Sequence, residues 1–85
     1  MEFKYEIDTR VKTSSELVIY HTDDESGEEY ETVIPVGANG VIESHGWSST
    51  EGFRPRYDVL FKLPDNEISV SFFEPDFEEN CIVEQ

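Results

Sequence analysis

His21, His45 and Cys81 are the side chains of this sequence whose chemistry serves nucleophilic, acid–base or soft-metal work. A Cys–His dyad needs its thiol within hydrogen-bond reach of an oriented imidazole, and no nucleophile context surrounds Cys81. A structural zinc site takes four ligands that include a closely spaced pair, and no such pair occurs here. The three residues read as two surface imidazoles and a partly buried thiol. The run Asp23-Asp24-Glu25-Ser26-Gly27-Glu28-Glu29 gathers the carboxylates that hard cations favour. Its glycine does not follow alternating ligands at the EF-hand offset, and no helical pattern flanks it. It reads as the solvated tip of a hairpin. Gly37-Ala38-Asn39-Gly40 lacks the Lys-Ser/Thr ending and the helix of a phosphate-binding loop, and a turn with positive φ explains its glycines. The sequence thus implies no catalytic residue, no metal and no cofactor, and the expectation is a protein that is not an enzyme.

Recognition is the chemistry that remains. Trp47, Phe53, Arg54 and Arg56 bring large apolar and guanidinium groups into a polar, glycine-containing stretch, residues 44–55, which reads as an exposed loop. Aromatic and Arg side chains are the ones most enriched at interface hot spots. On a polar loop they either mark a contact surface or fold back over the core. The carboxylates Asp23, Asp24, Glu25, Glu28 and Glu29 of the hairpin tip form the second half of the expected partner-binding surface.

Charge decides what kind of partner that surface takes. Twenty Asp and Glu face six Lys and Arg, a formal net charge of −14. Such a surface repels nucleic-acid phosphates and anionic lipid headgroups, whose binding needs clustered Lys and Arg. A basic protein partner fits; direct nucleic-acid or membrane binding does not. The same charge also serves solubility. The single cysteine forms no intramolecular disulfide, which suits a reducing compartment. The first residues carry neither the basic nor the apolar region of a signal peptide, so the expected location is the cytoplasm.

The elements that must position these groups are strands. At 85 residues the chain forms one domain, residues 1–85, and a domain of this size buries only about 60% of its unfolded surface. Aromatics at 13% supply much of the core area that aliphatics do not. Phe3, Tyr5 and Ile7 alternate with Lys4, Glu6 and Asp8, the period-two signature of a half-buried strand over residues 3–11. Residues 16–22 and 30–34 form a hairpin around the acidic turn, and Pro35 ends it because it cannot donate to a ladder. Strands are expected at 41–43, 57–63 and 68–73, the last two joined by the turn Pro64-Asp65-Asn66. Glu74-Pro75-Asp76-Phe77-Glu78-Glu79 predicts a short 3₁₀ or helical turn with Phe77 inward, and Ile82 and Val83 a last strand. No segment of ten residues or more shows helical periodicity, so the fold class is all-β.

Arg10-Val11-Lys12, the turn and strand Gly37-Ala38-Asn39-Gly40-Val41-Ile42, the strand Arg56-Tyr57-Asp58-Val59-Leu60-Phe61 and the closing Glu74-Pro75-Asp76-Phe77-Glu78 together resemble small SH3-like barrels of the KOW and Tudor-like kind. The likeness spans roughly residues 9–83, and relative to that pattern residues 13–34 are a long acidic insertion. The resemblance implies a small antiparallel barrel with a long acidic hairpin and a short 3₁₀ turn near the C-terminus. It implies ligands docked between the long loops, without the basic surface that nucleic-acid-binding members carry. Two functions follow as expectations: a protein–protein interaction module for a basic partner, or an immunity or inhibitor protein whose carboxylates mimic nucleic-acid charge and block a basic enzyme.

Overall fold

Tyr57, Val59 and Phe61 alternate with Asp58, Leu60 and Lys62, and this alternation places one face of a nine-residue strand, paired on both edges, in the core. The computed structural model describes residues 3–49 and 52–84. It contains β1 (Arg10–Thr13), β2 (Leu17–Thr22), β3 (Glu29–Ile34), β4 (Asn39–Ser48), β5 (Arg54–Lys62), β6 (Glu67–Phe73), α1 (Glu74–Asn80) and β7 (Cys81–Val83). Five strands make one antiparallel sheet in the order β6-β5-β4-β1-β7, and β2 and β3 form a separate two-stranded sheet. The all-β class is thus observed, with one short helix. The expected barrel is not: the two sheets do not close on each other.

The core lies on the inner face of the five-stranded sheet. Val11, Ile34, Ile42, Tyr57, Val59, Phe61 and Phe77 are fully buried there. Val11 pairs with Gly40, Gly40 with Phe61 and Phe61 with Ile68, one inward row across four strands. Gly40 is required in that row because a Cβ would lie 2.7 Å from the Phe61 ring and 2.9 Å from Val59. Thr13, also buried, fastens the chain after β3: its hydroxyl donates to the Pro35 carbonyl at 2.6 Å and accepts from the Ala38 N–H at 3.0 Å.

Three expectations need correction. Residues 3–9 do not form a strand. Asp8 sits at φ 75° and the Thr9 N–H turns back to the Glu6 carbonyl at 3.2 Å, which breaks the extended run before β1. Phe3 and Tyr5 still turn inward, but Ile7, third in the alternation, is exposed. The segment is a strap laid over the sheet. Next, residues 44–55 are not a loop: β4 continues to Ser48 and β5 starts at Arg54, with Trp47 opposite Pro55. The register slips between Ile42 and Ser44, so Glu43 is an extra, bulged residue that shifts the inward phase of β4. Residues 50 and 51 of the expected loop lie outside the described residues. Finally, of the expected 3₁₀ or helical turn the helical form is present and the 3₁₀ form is not: α1 is an α-helix, with Pro at its first turn, acidic Glu74 and Asp76 there, and Phe77 buried as expected.

One hydroxyl joins strap, sheet and helix. Tyr57 Oη accepts from the Lys4 and Tyr5 N–H groups at 3.1 and 3.3 Å and donates to Glu74 Oε2 at 2.8 Å. Burial, with the Glu74 carboxylate beside it, holds this phenol above its ordinary pKa, so it stays a donor. Lys4 Nζ and Tyr5 Oη reach the helix as well, both to Glu78 Oε2, at 2.7 and 3.0 Å. Tyr57→Phe leaves two strap donors and a carboxylate without their partner, and should cost about 1–3 kcal/mol of stability in urea unfolding. A loss below about 0.5 kcal/mol would show that water replaces the hydroxyl freely.

Candidate functional site

Half of the net charge sits on one hairpin. Residues 16–34 hold Glu16, Asp23, Asp24, Glu25, Glu28, Glu29 and Glu31 and no Lys or Arg. Antiparallel pairing sorts their neighbours onto two faces. Leu17 and Ile34, Ile19 and Thr32, and His21 and Tyr30 pair on the inner face; Val18 and Val33, Tyr20 and Glu31, and Thr22 and Glu29 pair on the outer. The inner face roots the hairpin, since Ile34 is buried in the core and Leu17 and Ile19 lie against it. Ser14 and Ser15 add bonds to the end of α1, through the Glu79 carbonyl and Asn80 Oδ1, both at 3.0 Å. Further out, His21 stacks on Tyr30 with ring centroids 4.8 Å apart, and its Nε2 lies 3.1 Å from Thr32 Oγ1.

The tip is an ordered turn. Gly27, at φ 72°, donates to the Asp23 carbonyl, and Asp23 N–H donates to the Glu28 carbonyl, both at 2.8 Å. Asp23 Oδ1 accepts from the Glu25 N–H at 2.9 Å, which leaves Asp24, Glu25, Glu28 and Glu29 to face solvent. The outer face presents Val18, Val33 and Tyr20, the last 78% exposed. Tyr20, Glu29, Tyr30 and Glu31 line a shallow depression near the tip end of the hairpin. The hairpin thus exposes apolar area rimmed by carboxylates. Tyr20, Val18 and Val33 were not expected as site residues. Their signal was present in the sequence, as apolar residues on the non-core phase of the two hairpin strands.

The other expected site residues divide between two faces of the five-stranded sheet. Trp47 is on the inner phase of β4, half-buried, with its ring 4.7 Å from that of Phe3. Phe3 also stacks on His45 at 3.8 Å, so the strap covers Trp47 and His45 together. Phe53 is exposed, at φ 60° in the β4–β5 turn. Arg54 and Arg56 lie on the outer phase of β5. The Arg54 guanidinium is 4.5 Å from the centre of the Phe73 ring. Arg56 Nε stands 3.3 Å from Asp58 Oδ1 in an ion pair without a hydrogen bond of its own, while Nη2 donates to Oδ2 at 3.5 Å. Ser44 and Ser71 both donate to the Asp58 carboxylate. Burial alone would raise Asp58, but these hydroxyls and Arg56 outweigh it and hold the carboxyl below its ordinary pKa. Arg10, Lys12 and Lys62 share the outer face with Arg54 and Arg56, each alternating with buried residues, so five of the six cations lie there and none on the hairpin.

The groups weighed first for catalysis are dispersed. His21 is on the hairpin, His45 under the strap, and Cys81 on β7 opposite Thr13. Both imidazoles are half-buried rather than on the surface. Among the described residues no three His, Cys, Asp or Glu are placed to hold a metal ion, and no helix is long and apolar enough to cross a membrane.

Burial pushes the Cys81 thiol up to about 11, so at neutral pH it is a protonated, shielded group. Thiol labelling of the folded protein at pH 7.5 should therefore run at least about a hundredfold slower than in denaturant, with the labelled fraction following unfolding. For Asp58, the depressed pKa contributes stability that is present above the ordinary value of 3.8 and is lost as pH falls through the lower folded value. Asp58→Asn should be less stable than the parent at pH 7, and the gap should close as pH drops below about 4. What the chain does must be argued from this geometry, because it matches no protein-family model, no curated protein and no solved structure.

Proposed function

We propose that this protein is a non-enzymatic, cytoplasmic interaction module whose β2–β3 hairpin docks a cationic protein partner. One observation carries the reading: the hairpin's outer face sets exposed Val18, Tyr20 and Val33 beside Glu29 and Glu31, on a segment with seven carboxylates and no base. Charges of that sign and density steer a basic partner, and the apolar residues lengthen its stay. Segregation of five cations onto the sheet's outer face strengthens the field at the hairpin. The single shielded thiol fits a reducing compartment.

The sequence of elements supports the SH3-like resemblance in topology: a basic-Val strand, a long hairpin, a glycine turn, a meander, a helical turn and a last short strand. In that comparison the hairpin is the ligand-binding insertion. The mimicry reading draws less support. Glu74 and Glu78 of α1, which it needs on a continuous acidic face, are bonded to Tyr57, Lys4 and Tyr5.

Surface plasmon resonance against an immobilised lysine-rich peptide tests the assignment. Association should slow at least about tenfold between 50 and roughly 500 mM salt, and Tyr20→Ser should speed dissociation about tenfold. Binding that is independent of salt, or that is lost with Phe53→Ser and unchanged with Tyr20→Ser, would overturn the hairpin as the site.

A further inference from the structure

Exposed edge strands ordinarily carry charge, proline or a bulge that blocks pairing with another chain. Within the hairpin, β3 follows that rule through Glu29 and Glu31. β2 does not: Leu17-Val18-Ile19-Tyr20-His21-Thr22 has no Asp, Glu, Lys, Arg, Pro or Gly. It pairs with β3 alone, so its other edge is open among the described residues. In a chain with 31% charged residues, the one fully uncharged strand of the hairpin is an open edge.

The register shows which backbone groups that edge offers. Asp23 N–H to Glu28 C=O continues the same ladder toward the tip. Hydrogen-bonded and non-bonded pairs alternate in an antiparallel ladder, so His21, Ile19 and Leu17 bond inward to β3. The N–H and C=O groups of Val18, Tyr20 and Thr22 then point away from β3. The side chains of these three residues are also those on the exposed outer face.

We propose that β2 is a docking edge that takes an extended, cationic segment of a partner protein as a third strand of the β2–β3 sheet. This rests on the cationic-partner reading and adds its mode. Main-chain bonds to Val18, Tyr20 and Thr22 hold the segment, and its alternate side chains meet the exposed faces of Val18 and Tyr20. Lys or Arg at the remaining positions reach Glu16, Asp23 and Asp24, which bracket the strand in sequence. Charge selects the occupant. A second copy of this chain would bring another seven carboxylates to within a strand spacing of about 5 Å, so like charge opposes self-pairing. The β6 edge belongs to the sheet that holds five of the six cations, and β7 is three residues long.

The test uses the full chain, ¹⁵N-labelled, with an eight-residue peptide of alternating Lys and Val as the probe. Saturation should slow amide exchange at Val18, Tyr20 and Thr22 about tenfold or more and leave Leu17, Ile19 and His21 unchanged. Val18→Pro removes one outward N–H, a change an edge strand tolerates, and should weaken the peptide at least about tenfold, against less than about threefold for Val18→Ala. If Val18→Pro disrupts the hairpin, the exchange pattern of the parent protein decides alone. Peptide-induced shifts at Tyr20 and Val33 with unaltered exchange at the three amides would overturn strand addition while the cationic-partner reading stands. An absence of peptide binding even at low salt would overturn both. The same amide protection arising without peptide, as a concentration-dependent dimer in about 0.5 M salt, would assign the edge to a second copy and overturn the cationic segment.

Discussion

The buried hydroxyl of Tyr57 is the constraint on which the rest of the architecture depends. A phenol in the middle of an aromatic core is tolerated only when its oxygen is satisfied, and here three groups from two other elements converge on it. Its ring meets those of Phe3, Tyr5, His45 and Phe77. The strap, the second half of β4 and α1 therefore meet at a single side chain. Without it, residues 3–9 would keep the Asp8 and Thr9 backbone bonds to Ile42 and the packing of Phe3 and Tyr5, but lose the tie at the centre of the cluster. The Lys4 and Tyr5 bonds to Glu78 repeat the connection at the surface, where exposed ion pairs contribute little by themselves. The direction of dependence runs from the inside out.

With that end of the sheet closed by aromatic packing, the surface proposed for recognition lies on the element that packs least. The hairpin is held at its base by Ile34, Leu17 and Ile19 and by the Thr13 bonds to the following turn. Beyond the base its strands have solvent on the outer face. At about 3.3 Å per residue, six-residue strands carry the tip roughly 20 Å from its root. Carboxylates there are far from the Lys and Arg side chains on the sheet, so their field is not cancelled locally. The same charges that would attract the proposed basic partner oppose pairing of the uncharged edge strand with its own kind.

Much of this was legible in the residues themselves. The hairpin, the 64–66 turn, the two strands around it, the inward Phe77 and the last strand all follow from alternation and from glycine and proline positions that each element needs. The failures have a common physical origin in phase. Period-two alternation finds strands only while the phase holds, and the Glu43 bulge shifts it by one residue. Past that point His45 and Trp47 point inward although counting from Ile42 would turn them out, and the stretch reads as a loop. At the N-terminal end the opposite happens. Phe3 and Tyr5 keep a perfect alternation for two steps, yet the backbone's partner is the side chain of Tyr57, fifty residues away, which no local pattern reports. Closure into a barrel was an inference from likeness rather than from residues. The candidate site was half legible: its carboxylates by composition, its apolar members only once pairing had shown which hairpin face lies outside.

The strap has a consequence for how the chain is made. Lys4 and Tyr5 contact Glu78, and β1 pairs with β7, so the earliest described segments find their last partners near the far end of the sequence. Contacts of such long range are slow to form because loop closure must precede them. During synthesis the meander β4-β5-β6 and the β2–β3 hairpin have all their local partners as soon as they emerge. The strap and β1 meet β4 and Tyr57 of β5 early, but complete their contacts only once α1 and β7 have followed. The nascent chain therefore passes through an interval in which the rings of Tyr5 and Tyr57 lack the cover that Phe77 supplies. Shielding of that interval falls to the strong negative charge the chain already carries.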